Sequence, residues 1–314
     1  MNTLRPVDHG ATHHVGPYPA PGRILNVGGH PVHCVAAGAG APTVVFEAGM
    51  GSNHLDWQAV RSRLAATTHA FFYDRAGLGW SEPRPEPRTP AQVVDELEAT
   101  LAAAQIHPPY VLVGHSMGAR YIRIFARRHR QEVVGMVVVD GYNEAFDTAI
   151  GPVALRSFVE GRARFYGVIR RLDQLGIVRV FGGRLVSLLG PDFRAMPAAE
   201  RTRYARVLAR AQAMATATDE LRRSGAANEE LADASLGDLP LVVLSHATPF
   251  PDAVQEEAWQ ASQQELCSRS TRGTLVSAQG AAHSVMLARP DLVVEAINAV
   301  LAEAAAVESP APPV

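Results

Sequence analysis

The sequence predicts an α/β fold, a mostly parallel eight-stranded sheet flanked by helices and interrupted by a helical cap insertion. Three observations predict it. Short apolar or β-branched runs recur along the chain, stretches of helical spacing separate them, and the strand signal vanishes between about Tyr142 and Asp238. Such alternation is what a parallel sheet needs, because each crossover must lie on a sheet face and cover it.

Taken in order, Ile24–Val27 and Val32–Ala36 flank Gly28-Gly29, a turn signal that pairs them as an antiparallel hairpin. Val44–Phe46 and Phe71–Tyr73 follow. Thr89-Pro90-Ala91-Gln92 then reads as a capped helix start with proline at the first helical position, the helix running to about Ala104. Tyr110–Val113 is the fifth strand, and a helix starts directly after Ser116. Val134–Val139, Leu241–Leu244 and Thr274–Val276 complete the sheet. A last helix from near Pro290 carries Val293, Val294, Ile297, Val300 and Leu301 on one face. Inside the strand-free segment, Phe158, Phe165, Val168, Ile169 and Leu172 have helical spacing. The expected organisation is therefore a core of residues 1–141 and 239–304 with an insertion of 142–238. Residues 305–314 end in Ser309-Pro310-Ala311-Pro312-Pro313-Val314 and read as a disordered tail, and the first 20 or so residues are similarly rich in Pro, Gly and His.

A chain of 314 residues with 47% hydrophobic content can bury one sizeable core. Charged residues make up 19% and the net charge is −2, which excludes the global basic excess of a nucleic-acid binder and favours a small, mostly neutral partner. The N-terminus lacks the apolar run of a secretory signal, so the expected location is cytoplasmic, and no apolar stretch is long enough to span a membrane. Cys34 and Cys267 lie in no metal-like or C-x-x-C spacing and read as free buried thiols. Every basic side chain apart from histidine is arginine, so no single arginine is read as a choice over lysine. Residues 156–223 hold fourteen Arg against six acids. Attraction for an anionic substrate or a membrane surface would use such a surplus, but solvated helix faces are the reading adopted.

The chemistry concentrates in Gly114-His115-Ser116-Met117-Gly118, a G-x-S-x-G run between an apolar strand and a helix-compatible stretch. A strand feeding straight into a helix forces the serine into a strained turn, and flanking glycines let the two backbones close. Ser116 then stands at the carboxyl edge of the sheet and the amide of Met117 faces a developing oxyanion. A hydroxyl needs a base, and His283, after the last strand in Gln279-Gly280-Ala281-Ala282-His283-Ser284, is the preferred one of twelve histidines. His115, inside the turn, reads as structural or pocket-lining. For the carboxylate that orients the imidazole, two positions compete: Asp140, at the tip of Val137-Val138-Val139, and Asp252, which also looks like a helix cap. Asp140 is favoured. The Gly-rich loop Glu47-Ala48-Gly49-Met50-Gly51-Ser52 offers Met50 as a second oxyanion amide, and no G-K-[ST] follows to make it a phosphate loop.

From about Ile24 to Glu303 the chain resembles the α/β-hydrolase superfamily, on Phe46-Glu47-Ala48-Gly49-Met50-Gly51, the turn Tyr73-Asp74-Arg75-Ala76-Gly77-Leu78-Gly79-Trp80-Ser81, the serine turn, and His283 followed by Arg289-Pro290. The turn at Asp74 to Ser81 is similar to the family's structural D-R-x-G-x-G-x-S loop. Two departures stand out: Glu47-Ala48-Gly49 replaces the frequent His-Gly before the oxyanion donor, and His246-Ala247-Thr248-Pro249 lacks the frequent acid after the seventh strand. Some members place the acid after the sixth strand, which the resemblance makes Asp140. It implies a serine esterase or lactonase working without metal or organic cofactor on a small-molecule ester, whereas dehalogenase and epoxide-hydrolase members look to Asp at the nucleophile position. Perhydrolysis, C–C bond hydrolysis and ligand reception on the same fold are the rival readings.

Overall fold

The computed structural model describes residues 14–15, 18–227, 231 and 235–308. Eight strands form the main sheet: β1 Arg23–Val27, β2 His30–Ala37, β3 Thr43–Glu47, β4 Ala70–Tyr73, β5 Tyr110–His115, β6 Val133–Val139, β7 Leu241–His246 and β8 Gly273–Ala278. Each contains its predicted run and extends it at one or both ends. The spatial order is β8-β7-β6-β5-β3-β4-β2-β1, and β2 alone runs opposite to the other seven strands. A two-residue ribbon pairs His14–Val15 with Tyr18–Pro19, inside the N-terminal stretch for which no pattern was expected.

Strand periodicity sorts the core into two layers. Val45, Leu112, Met136, Val138 and Val243 pack on one face with Val93 and Leu97 of α1 (Pro90–Ala104) and Ile122 and Phe125 of α2 (Met117–Arg128). Val44, Phe46, Val111, Val113, Val137 and Leu244 point to the other face, against Val293, Ile297 and Val300 of the C-terminal helix. The expected capping box opens α1: the Thr89 hydroxyl accepts from the Gln92 amide at 3.4 Å and the Gln92 side chain answers the Thr89 amide, with Pro90 at the first position.

Between β6 and β7 come the helices α3 (Glu144–Gln174), α4 (Ile177–Val186), α5 (Ala198–Leu208) and α6 (Ala211–Arg223). Gly151, at φ 75 before Pro152, kinks α3. Phe158, Phe165, Ile169 and Leu172 are partly buried against the core clusters, but Val168, expected with them, is 52% exposed. After β7 come α7 (Ala253–Ser268) and α8 (Pro290–Glu308). Helix α8 runs past the point where the tail was expected to begin, because the Ala-rich stretch Ala302 to Ala306 has the highest helix propensity available and Ala304 finds a buried place. The rest of that expected tail, 309–314, lies outside the described residues. Cys34 is buried, its thiol pushed up to about 11 mainly by burial, while Cys267 is only partly enclosed, which corrects the reading of two buried thiols. Among the described residues, no helix is long and apolar enough to cross a membrane.

Arginine does its structural work in the core rather than in the insertion, whose own arginines stand mostly exposed. Arg123 of α2 holds Glu144 of α3 through two bonds of 2.6 and 2.9 Å, and Arg120 reaches Asp147 at 2.9 Å. Arg75, after β4, binds Glu220 of α6 through two bonds of 2.9 Å and Glu47 at 2.6 Å. All these side chains are buried, and planar forks meet carboxylates in the geometry that best offsets desolvation. Removing one partner strands a charge. Glu220→Ala is therefore expected to lower the unfolding free energy by about 3 kcal/mol in urea denaturation, against a change within about 0.5 kcal/mol for exposed Val254→Ala. A loss under about 1 kcal/mol in Glu220→Ala would show that the Arg75 pairing adds little net stability.

Candidate active site

Strand β5 ends in the turn that carries Ser116, whose backbone sits at φ 51 and ψ −120, a region that side chains avoid. The two glycines of the motif make it attainable. A Cβ on Gly114 would lie 2.8 Å from the backbone of Gly118, and one on Gly118 would lie 2.5 Å from the Glu47 carbonyl oxygen. Helix and strand thus close to a distance only bare backbone allows. The Ser116 carbonyl accepts from Ala119 N at 3.0 Å and Tyr142 N at 2.9 Å, which locks the turn to α2 and to the chain after β6.

Among the described histidines, it is His283 whose ring meets the serine: Nε2 stands 3.0 Å from Ser116 Oγ. Its Nδ1 stands 2.6 Å from Asp140 Oδ2. Asp252 is elsewhere, exposed, capping α7 by accepting from Val254 N at 2.9 Å and Gln255 N at 3.0 Å. Asp140 is fully buried at the tip of β6 with φ 46. Burial works against its charge, but hydrogen bonds from His246 and His283 outweigh it and hold the carboxyl well below the usual carboxylate range. His115 lies beneath His283, with ring centroids 4.8 Å apart, and its Nε2 donates to the His283 carbonyl at 3.0 Å. Burial first, and repulsion from His283 second, push its imidazole down to about 3, so it is neutral and structural.

The loop after β3 passes beside the serine. A Cβ on Gly49 would lie 2.8 Å from His115 Nδ1 and 3.4 Å from Ser116 Cβ, so glycine is required for the close pass. Arg75 fixes this loop by donating to the carbonyls of Ala48 at 2.7 Å and Gly49 at 2.8 Å. Among the described residues the amides of Met50 and Met117 donate to no protein acceptor. The Met117 amide is the first of α2, where the helix itself offers no partner.

Sequence reasoning missed the residues that support Asp140 and His283. His246, set aside because its stretch held no acid, donates to Asp140 through its backbone N at 3.0 Å and its Nδ1 at 2.7 Å. Trp259 Nε1 adds a fourth bond at 3.0 Å. Asp192 of the insertion accepts from Ala282 N at 2.9 Å and Ser284 N at 2.8 Å, which grips the His283 loop from both sides. The signal that could have found part of this is the spacing Glu256, Trp259, Gln260, Gln263, which puts four hydrogen-bonding side chains on one face of the helix after Asp252. Nothing in the sequence points to Asp192.

Among the described residues, two groups of three side chains have metal-ligating atoms within 4.8 Å of one another: Asp140, His246 and His283, and His33, His54 and Asp74. In both, ring Nδ1 atoms bond the carboxylate directly at 2.6–2.9 Å, leaving no room for an ion between them. The second group is structural. Asp74 also accepts from His54 N at 2.8 Å and Trp80 N at 3.0 Å, and so ties β2, the segment after β3 and the turn after β4 together.

The sequence profile of the alpha/beta hydrolase family matches residues 44–296. YqjL of Bacillus subtilis (strain 168), described as uncharacterized, is 26% identical over 256 residues, 82% of each chain. Among solved structures, a thermophilic esterase from Thermogutta terrifontis superposes with a TM-score of 0.65 at 19% identity over 88% of this chain and 94% of its own. The epoxide hydrolase CorEH does so with a TM-score of 0.69 at 15% identity over 90% and 98%. At such identities the two structures speak for the fold. With the profile spanning most of its length, the chain belongs to the alpha/beta hydrolase family.

Proposed function

We propose that the protein is a serine hydrolase that cleaves a carboxylic ester or lactone through an acyl-enzyme. The observation that carries this reading is the unbroken chain from Ser116 Oγ to His283 Nε2 at 3.0 Å and from His283 Nδ1 to Asp140 Oδ2 at 2.6 Å, on a turn strained to φ 51. Ser116 attacks the ester carbonyl as its proton passes to His283 Nε2; Asp140 orients the ring and stabilises the imidazolium. The amides of Met50 and Met117 receive the oxyanion, each worth about 3 kcal/mol in the transition state. His283 then protonates the departing alcohol, and water repeats the sequence in reverse to release the acid. No metal or organic cofactor enters these steps.

The insertion caps the site in this reading. Position Gly51, next to Met50, is where a Cβ would lie 3.0 Å from Ala217 Cβ of α6 and 3.3 Å from the Tyr166 hydroxyl of α3. Helices of the insertion therefore border the loop that would hold the oxyanion, and they are placed to shape the acyl or alcohol pocket. The likeness to an epoxide hydrolase does not carry over in chemistry. A carboxylate that opens an epoxide leaves an ester, which water can cleave; Ser116 would leave an ether, which the same site could not turn over.

Two experiments test the reading. An ester and lactone panel of graded acyl and alcohol size is expected to show turnover by the wild type and a loss of up to about a millionfold in kcat for Ser116→Ala, with a fluorophosphonate labelling the wild type alone. Labelling of the variant, or turnover equal to the wild type, overturns the assignment. For the acid, Asp140→Asn is expected to lower kcat about ten-thousandfold, while Asp252→Asn stays within about twofold because an exposed cap contributes to helix stability only. The reverse pattern would transfer the role to Asp252.

A further inference from the structure

His246, at the end of β7, has its side chain wholly enclosed between two carboxylates. Its Nδ1 stands 2.7 Å from Asp140 Oδ2 and its Nε2 stands 3.0 Å from Glu256 Oε2. A neutral imidazole has a single N–H, so one of its nitrogens would set a lone pair against a carboxylate lone pair; only the doubly protonated ring donates to both. Burial opposes that charge, but the two carboxylates outweigh it and raise the imidazole to about 9. Glu256 is itself held in place, accepting from Phe250 N at 2.9 Å and Gln260 Nε2 at 2.9 Å.

The same face of α7 serves the acid in two further ways. Trp259 donates to Asp140 Oδ1 at 3.0 Å, and Gln263 bonds both the amide and the carbonyl of Gly141, at 3.0 and 2.7 Å. Glu256, Trp259, Gln260 and Gln263 stand at i, i+3, i+4 and i+7, so one stripe of one helix holds Asp140, at φ 46, and Gly141 beside it. The titratable groups facing His246 are Asp140 from the end of β6 and Glu256 from α7, with His283 from the loop after β8 across the shared Oδ2. The other neighbours are the uncharged rings of Phe250, at 4.6 Å, and Trp259, at 6.3 Å.

We propose that His246 is a positioning residue of this site, an imidazolium anchored by Glu256 that locks the Asp140 carboxylate against His283 and offsets part of its negative charge. The proposal rests on the reading of Ser116, His283 and Asp140 as the catalytic set. Asp140 Oδ2 is shared, 2.6 Å from His283 Nδ1 and 2.7 Å from His246 Nδ1. A fixed positive charge on the far side of that oxygen weakens the pull of Asp140 on a second proton at His283. The charge on His246 is thus felt through the shared oxygen at the ring whose Nε2 takes the Ser116 proton.

The sign of the test follows. In His246→Gln the compensating charge is gone, Asp140 favours the protonated form of His283 more strongly, and the acidic limb of the kcat/KM profile is expected to move up by about one pH unit. Plateau kcat is expected to fall about tenfold with KM little changed, since the carboxylate loses a bond that orients it. Glu256→Gln leaves His246 one carboxylate and moves the limb in the same direction by less. A purely structural role would lower Tm in both variants and leave the limb in place. Charge is read directly, without turnover, from long-range 1H–15N spectra of the full-length Ser116→Ala protein, in which both His246 ring nitrogens are expected to be protonated at pH 7. A neutral His246 tautomer at pH 7, or an unmoved limb in both variants of an active enzyme, overturns the proposal. Absence of turnover and of Ser116 labelling in the wild type overturns the catalytic reading and with it this role, whatever charge the spectra report.

Discussion

The contact on which the rest depends is the close pass between the start of α2 and the loop after β3. A Cβ on Gly118 would fall 2.5 Å from the Glu47 carbonyl oxygen, so no larger residue fits and Ser116 is bent into its φ of 51. Such a backbone costs about 1–3 kcal/mol. It is held because β5 lies between β3 and β6 in the sheet, with Val111, Leu112 and Val113 fully buried on its two faces. The neighbouring strand β6 ends in a second polar residue with positive φ, Asp140 at 46. Two adjacent strands thus finish in strained polar residues at one rim, and His283 spans the gap between them.

Buried charge is managed by enclosure. Asp140 accepts four hydrogen bonds, Asp74 accepts four, and the guanidinium of Arg75 is divided between Glu47, Glu220 and two carbonyls. Each set joins at least two segments distant in sequence. The polar interactions therefore fix relative placement, whereas the apolar layers supply most of the driving force for burial.

The sheet was legible because its signals are local: eight apolar or β-branched runs, a Gly-Gly turn and a Thr-Pro-x-Gln cap all act within a few residues of themselves. Ser116 and His283 were legible because a turn and a chain order constrain them. Asp140 could be favoured over Asp252 but not chosen outright, since both follow strands, and it is the contact of Asp140 with His283, with Asp252 turned to cap α7, that separates them. The supporting residues were invisible for the same reason. His246 meets Asp140 across 106 positions and Asp192 meets Ser284 across 92, distances over which no periodicity carries. An all-arginine composition also concealed which basic residues are buried forks: Arg75, Arg120 and Arg123 read like any other until their partners are seen.

The grip of Arg75 bears on how this architecture can diversify. One guanidinium holds the carbonyls of Ala48 and Gly49, beside the serine, and the carboxylate of Glu220, on a helix of the insertion. The segment best placed to vary with the substrate is thereby wired to the segment whose shape must stay constant. Exchanging the insertion wholesale would slacken the peptide planes next to Ser116 unless an acid returned to the same spot. Among the described residues, helices α4 and α5 make no bond to that anchor, but Val178, Val186, Tyr204 and Val207 bury them against Leu55, Trp80 and Leu287, so only their solvent faces are free to vary.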